Sequence, residues 1–173
     1  MSLAAGGFLT VFLAIFLCAV LQLERYRAAS LYLEDALAAS NLASAVIDPE
    51  EYGISHRLRI AEPEEAFGRY RQAVKGNLNL DSRWTGSPGG LISGTVTIGC
   101  YIVYNVTETE VEVSRFDENG VLSQWILPYG NVWAPNHMPV KATSIYSELI
   151  FDVEGLFGIK VKAHKGNLVD IVQ

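Results

Sequence analysis

The chain has 173 residues, which is enough for one domain and a long additional helix. Its 13 Lys and Arg against 19 Asp and Glu give a net charge of −6, which argues against nucleic-acid binding because that needs a basic patch facing the phosphates. The two cysteines, Cys18 and Cys100, lie far apart without metal-ligand spacing, so we expect neither a disulfide framework nor a metal site.

An apolar run over residues 8–23 dominates the N-terminal part of the chain, and it continues into an Ala-rich polar segment without an intervening Gly or Pro. We predict one continuous helix over 8–47, ending at Asp48-Pro49 and about 60 Å long at 1.5 Å per residue. With the residues just before it, the apolar half is long enough to span a bilayer. A retained anchor is favoured over a cleaved signal, which would carry a basic leading segment, and over a buried core helix.

Small residues recur along the polar half of this helix. They are Ala36, Ser40 and Ser44, four positions apart, with Ala39 and Ala43 beside them. Small side chains let another backbone approach closely, which favours helix–helix packing. The same residues would equally suit a helix packed on the sheet of its own chain, and the sequence leaves both interpretations open.

The rest of the chain reads as a short helix followed by a sheet. Residues 52–60 resemble a loop, with a short strand as the alternative. A helix is expected from Pro63, with an apolar face at helical spacing made of Ala66, Phe67, Tyr70, Ala73 and Val74. Alternating apolar residues then predict five or six antiparallel strands from about residue 92. This order of elements is α+β: a long N-terminal helix, with a transmembrane half and an amphipathic half, packed on an antiparallel sheet.

Three details of the sheet follow from the pattern. In the first strand one set of alternating side chains is expected to share a face: Val96, Ile98, Cys100, Ile102, Tyr104 and Val106. A hairpin turn is expected at Asp117–Gly120, with Asn-Gly at its tip. A second turn is expected at Lys165–Asn167, before a last strand from Leu168 to Val172.

One long loop, Pro128–Pro139, is rich in Pro and aromatic residues and is the candidate binding loop, with Trp133 and His137 as its candidate contacts. Burial at a sheet edge is the favoured alternative for such large side chains.

The sequence shows no nucleophile–base pair, no phosphate-binding loop and no clustered metal ligands. We therefore expect a non-enzyme without catalytic residues, metal or cofactor.

The stretch GGFLTVFLAIFLCAVLQLERYRAASLYLEDALAASNLAS resembles TadE-like minor pilins of tight-adherence (Tad) systems, and more broadly type IV pilins and pseudopilins. The C-terminal stretch SIYSELIFDVEGLFGIKVKAHKGNLVDIV extends the resemblance. Gly7 and Phe8 resemble the pair between which prepilin peptidase cuts, so residues 1–7 would be a leader remnant. Phe12 stands where pilins carry Glu, which narrows the expectation to a pilin-like minor component.

The resemblance implies a pilin-like fold and a structural role in a pilus or secretion apparatus. Residues 48–173 would form an α+β domain outside the cell, anchored by a single pass through the inner or cytoplasmic membrane. The expected partners are membrane lipid, other pilin-like subunits and the assembly machinery. Charge alone would place the domain inside, since Arg25 and Arg27 follow the span, but two Arg beside Glu24 are a weak signal. The alternatives are an anchored extracellular binding module and a soluble domain.

Overall fold

The structure is a computed structural model that describes residues 3–87, 90–92, 94–154 and 160–171. Within these residues the elements in chain order are α1 Leu3–Ser44, α2 Pro49–Ser55, α3 Pro63–Asn77, β1 Thr97–Val106, β2 Glu110–Phe116, β3 Leu122–Pro128, β4 Ser144–Glu154 and β5 Lys160–Asp170. The strands form one antiparallel sheet in the order β3-β2-β1-β4-β5. Because α1 packs on β4 and β5, the predicted α+β class is confirmed.

Helix α1 is a single helix of 42 residues, about 63 Å long. It ends at Ser44, three residues before the predicted end at Ile47. The reason lies beyond the helix: Ile47 pairs with Ile60 in an isolated β-bridge, and Asp48 adopts an extended conformation. Proline disfavours the helical conformation in the residue before it, so the chain leaves α1 ahead of Pro49.

The loop prediction for residues 52–60 is wrong in its first part, because α2 covers Pro49–Ser55. Asp48 caps this helix: its Oδ1 accepts hydrogen bonds from the backbone N–H groups of Glu50 at 2.9 Å and Glu51 at 3.1 Å. Pro at the first helical position and acids in the first turn suit a helix start. The Asp48-Pro49 pair that ends the long helix therefore also begins the next one.

The predicted second helix is confirmed as α3, which covers the sheet beside α1. Its rings stack on the rings of the sheet. The Tyr70 and Tyr101 centroids are 4.7 Å apart, and those of Phe67 and Phe116 are 4.4 Å apart. Buried side chains from α1, α3 and the sheet form one apolar core on this face, here called the helix-side core.

The prediction that alternating side chains of the first strand share one face of the sheet is wrong in part. The pairing register of β1 with β4 shifts between Ile98 and Cys100, at a bulge on Gly99. Ile98 therefore packs into the helix-side core, whereas Cys100 faces the opposite side of the sheet. Tyr101, which lies outside the predicted set, is fully buried in the helix-side core together with Ile98. One extra residue reverses the alternation of everything after it.

A second core covers the other face of the sheet. Side chains of the Pro128–Pro139 loop and of Val140, which follows it, close over the strands there: Val132, Ala134 and Val140. They lie against apolar side chains of the sheet, namely Cys100, Ile102, Tyr104, Val111, Val113, Tyr146 and Leu168. The central strand β1 is therefore buried on both faces, whereas the edge strand β3 stays largely exposed.

The turn predicted at Lys165–Asn167 is also wrong. β5 continues through these residues to Asp170 and pairs with β4 along its whole length. The end expected at Val172 lies outside the described residues. Gly166 serves packing here: a Cβ atom at this position would collide with the ring and hydroxyl of Tyr146. A strand glycine that makes room for an aromatic ring can look like a turn signal in sequence.

The hairpin predicted at Asp117–Gly120 is confirmed between β2 and β3. Gly120 has φ +77°, a left-handed conformation that favours glycine. The Asp117 carboxylate accepts hydrogen bonds from the backbone N–H groups of Asn119 at 2.9 Å and Val121 at 2.8 Å. These bonds hold the pKa of Asp117 below its ordinary value.

Candidate functional site: the two halves of α1

The N-terminal half of α1 has no cover in the described chain. Its large apolar side chains are exposed along the whole run, with Phe8 75% exposed and Leu13 63% exposed. The helix is long and apolar enough to cross a membrane. Gly7 and Phe8, the predicted processing pair, lie inside its first turns. Exposed apolar surface on this scale is typical of segments that contact a membrane or another protein.

Polar and charged residues mark the point where the apolar half ends. Arg27 pairs with Glu24 at 2.9 Å, and both side chains are exposed. The Arg25 guanidinium donates to the backbone carbonyl of Gly90 at 3.3 Å. This bond ties the helix to the domain directly after the apolar run, so little free chain separates the two.

One face of the polar half of α1 is buried in the helix-side core. Its buried residues recur at helical spacing: Ala29, Leu33, Ala36, Leu37, Ser40, Asn41 and Ser44. Ser40 accepts a hydrogen bond from Asn77 of α3 at 3.0 Å, and Ser44 shares one with the Tyr101 hydroxyl at 2.9 Å. These small residues let α3 and the sheet approach the helix.

The predicted small-residue set is thus divided between two faces of the helix. Ala36, Ser40 and Ser44 are buried in the chain's own domain, whereas Ala39 and Ala43 are exposed. Exposed apolar side chains accompany the two alanines: Leu31, which is 64% exposed, and Leu42 on the helix, and Val46 just after its end. The exposed apolar surface of α1 therefore continues past the membrane-length half, along the outward face of the polar half.

A groove opens beside α1 just after the apolar run. It has a volume of about 440 Å³ and lies between Tyr26, Ala29 and Ser30 of the helix and apolar side chains of the sheet, among them Phe151 and Val161. Lys165 closes one side, where its ammonium group contacts Glu34 at 2.8 Å.

The candidate binding loop presents its two predicted residues to solvent. Trp133 is 61% exposed, and His137 is exposed with φ +62°, a left-handed conformation. Hydrogen bonds hold the turn: Ala134 N–H to Met138 O and His137 N–H to Ala134 O, both at 2.9 Å. The loop covers a face of the sheet through residues that the sequence analysis did not single out. The sequence does contain a signal for this burial: apolar Val132 and Ala134 alternate with Trp133, as in a strand with one buried face. Prolines nearby make the segment resemble an ordinary loop.

Potential metal ligands do not cluster in the part of the chain that the structure describes. There, no group of three or more His, Cys, Asp or Glu side chains is arranged to hold a metal ion. Burial raises the pKa of the Cys100 thiol to about 11, so it stays protonated near neutral pH. The non-enzymatic, cofactor-free character of the protein stays a prediction.

Comparison with protein-family models, curated proteins and solved structures finds no match. Of the surfaces of this chain, α1 is the most unusual, because one continuous helix is buried in the core at one end and exposed at the other.

Proposed function

We propose that the protein is a structural, membrane-anchored minor pilin or pseudopilin of a Tad-like pilus or secretion apparatus, and that it assembles through α1. The observation that carries the proposal is the exposure of the apolar half of a helix whose other half is fixed in the domain. In a bilayer this half is stable because a helix satisfies its own backbone hydrogen bonds. In a filament the same surface packs against neighbouring helices.

The outward face of the polar half supports assembly by packing between helices. Ala39 and Ala43 are exposed one turn apart, and Leu42 lies beside them. A pair of small residues at this spacing lets a second helix approach the backbone, while the neighbouring leucine supplies apolar area. A helix that only anchored the domain would not need an apolar surface beyond the membrane.

In this proposal the domain, residues 48–173, lies outside the cell, and the partners are membrane lipid, other pilin-like subunits and the assembly machinery. The resemblance of the N-terminal stretch to TadE-like pilins is the support for this orientation. The bond from Arg25 to Gly90 keeps the domain close to the membrane surface. Processing between Gly7 and Phe8 is part of the same proposal, and mass spectrometry of the mature N-terminus tests it.

Cysteine crosslinking in cells tests assembly through α1. In a background of Cys18→Ser and Cys100→Ala, we introduce Ala39→Cys on the outward face and, as the matched control, Ser40→Cys one position away in the core. A short bismaleimide should join Ala39→Cys to a second pilin-type subunit carrying cysteine on its own N-terminal helix. Ser40→Cys should remain uncrosslinked. If neither Ala39→Cys nor a cysteine at Leu13 ever joins two such subunits, the filament proposal fails.

An anchored extracellular binding module is the second candidate, and the exposure of Trp133 favours it. An indole that is 61% exposed at a hydrogen-bonded turn offers a large, rigid contact surface. Changing Trp133 and His137 to Ala should then abolish binding to a surface ligand while the near-ultraviolet circular dichroism stays native. Binding that survives both changes would remove this candidate.

A further inference from the structure

Strand β3 forms one edge of the sheet, and its outer side is unpaired within the described residues. Helix α1 packs on β4 and β5, at the other side of the sheet, so it does not cover this edge. An open strand edge is a row of backbone N–H and C=O groups that is ready to pair with another strand.

The hydrogen bonds at both ends of β3 show which residues face outward. Asp117 N–H donates to Val121 O at 3.2 Å, and Tyr129 N–H donates to Thr109 O at 2.9 Å. In an antiparallel pair the groups facing the partner strand recur at every second residue, so the odd-numbered positions of β3 face β2. The backbone groups of Leu122, Gln124 and Ile126 therefore point away from the sheet.

Proteins usually block such edges with charges, and the two edges of this sheet differ in that respect. The free edge from Val121 to Pro128 carries no charged residue, whereas β5 carries Lys160, Lys162 and Lys165. Ile126 is 61% exposed, and Trp125 is exposed on the opposite face of the strand. β3 is thus an uncharged edge with apolar side chains on both faces, and it lacks the lysines that protect β5.

We propose that β3 is a docking edge for a second copy of this chain, which joins its own β3 antiparallel to the first about a two-fold axis at Trp125. Gln124 of one copy then exchanges backbone hydrogen bonds with Ile126 of the other. The two Trp125 rings come together as a directly opposed pair, an arrangement that stabilises antiparallel strands. Two five-stranded sheets become one continuous sheet.

The charge pattern is the reason for choosing a second copy as the partner. Two-fold pairing of identical strands brings each residue opposite another residue of the same strand, so charged strands place like charges close together. β5 paired with itself would bring its lysines together, whereas β3 has no charge to repel its copy. Because α1 lies on the far side of the sheet, this contact is independent of the proposed filament packing.

Disulfide formation between copies tests the pairing directly. In the Cys18→Ser and Cys100→Ala background, Trp125→Cys places two thiols at the proposed axis, in an opposed pair whose Cβ atoms lie about 4.5–5.5 Å apart. Lys162→Cys on β5 is the matched control at the other edge. On mild oxidation of the full chain in detergent, Trp125→Cys should give a covalent dimer and Lys162→Cys should stay monomeric. Equal dimer yields from the two positions would overturn the proposal.

Mass measurement of the full chain provides the second test. Light scattering after gel filtration, with the detergent contribution subtracted, should show a dimer at a protein concentration of about 100 µM, which saturates any contact with Kd near 1 µM. Ile126→Lys should convert it to monomer. The new lysine lies opposite Glu112 on β2, whose carboxylate already pairs with Arg59 at 2.9 Å, so no like charge faces it within the folded chain. Val161→Lys, at a site that is 47% exposed on β5, should leave the dimer intact.

Gln124→Pro is the second variant, because it removes an outward N–H without removing a backbone hydrogen bond to β2, and it should also give a monomer. It also removes the 3.0 Å side-chain bond from Gln124 to Ser114, so its fold is checked by circular dichroism. A wild-type chain that is monomeric at this concentration would overturn the proposal. So would a dimer that persists in folded Ile126→Lys, because the contact would then lie elsewhere, for example along α1. The Ala39→Cys crosslink reports on α1 separately, so failure of the β3 contact and failure of the filament are distinguishable.

Discussion

Ser147 of β4 donates a hydrogen bond of 2.7 Å to the side-chain oxygen of Asn41 in α1, and both side chains are fully buried. The Asn41 amide nitrogen donates in turn to the backbone carbonyl of Asn167 in β5 at 3.2 Å. One asparagine therefore joins the helix to two strands. Buried polar groups are costly to leave unpaired. These hydrogen bonds of Asn41, here called the Asn41 joint, therefore fix the rotation of α1 about its axis and its position along that axis relative to the sheet.

The first prediction concerns this joint. Asn41→Ala leaves the Ser147 hydroxyl and the Asn167 carbonyl without their buried partner, so the free energy of unfolding should fall by about 1–3 kcal/mol. Urea unfolding of the full chain in detergent, followed by circular dichroism, measures it. The control is Leu42→Ala, one position along on the exposed face, which should change stability by less than about 0.5 kcal/mol. Equal losses in the two variants would contradict a specific joint.

A second prediction concerns the glycine inside β5. Gly166→Ala forces the new methyl group against the ring of Tyr146, so we expect a loss of about 1–3 kcal/mol. Gly76→Ala in α3 is the matched control: nothing lies within 4 Å of its added Cβ, and alanine favours helix. Thermal unfolding should show a lower Tm for the first variant and an unchanged or higher Tm for the second. A native Tm for Gly166→Ala would show that Tyr146 moves aside freely.

The third prediction is an alkaline transition. Burial raises the pKa of Tyr104 to about 12, and it also raises the pKa values of Tyr70, Tyr101 and Tyr146. The folded state holds these protons more tightly than the unfolded chain, whose tyrosines have the ordinary pKa of 10.0. Their stabilising contribution is therefore complete below pH 10 and is lost as the pH rises toward the folded-state pKa values.

Absorbance at 295 nm and circular dichroism, recorded together from about pH 9 to pH 12.5, follow this transition. Ionisation of the buried tyrosines should coincide with the loss of folded structure. Tyr104→Phe removes one of these groups and should weaken the pH dependence of stability above pH 10. Complete tyrosine ionisation near pH 10 with an intact circular dichroism spectrum would refute the expectation.

The fourth prediction concerns thiol reactivity. Cys100 is buried between the sheet and the Pro128–Pro139 loop, and burial raises its pKa to about 11, so little thiolate forms. In a Cys18→Ser background, Ellman's reagent at pH 8 should label Cys100 only after urea is added. Ser123→Cys, on the exposed edge strand, should in the same background with Cys100→Ala react within the mixing time. Rapid labelling of Cys100 in the folded chain would show that the loop opens readily.

Local signals predicted the elements whose limits are set locally. The apolar run and the absence of breakers predict α1, Pro63 with its acidic neighbours predicts α3, and the Asn-Gly pair predicts the turn before β3. These signals act through residues a few positions apart, so sequence alone reveals them. Asp48 shows the limit of such reasoning. It lies between α1 and α2 and caps α2 with its side chain, but the sequence predicted only the end of the first helix.

Long-range contacts decided the features that were missed. The bulge at Gly99 is defined by the pairing register of β1 with β4. Gly166 lies within a strand and leaves room for the ring of Tyr146. Val132 and Ala134 cover the sheet only because the chain returns over it. None of these partners is near in sequence, so no local pattern contains the information.

The sequence by itself determined that one helix has an apolar half and a polar half, since composition and the absence of breakers are local properties. Only the tertiary structure decided how the polar half is rotated. The helical period places Ala36, Ser40 and Ser44 on one face and Ala39 and Ala43 beside it, but it is silent on which face meets the sheet. Contacts of Asn41 and Ser44 with Ser147 and Tyr101 turn the first set inward, and Ala39 and Ala43 remain exposed.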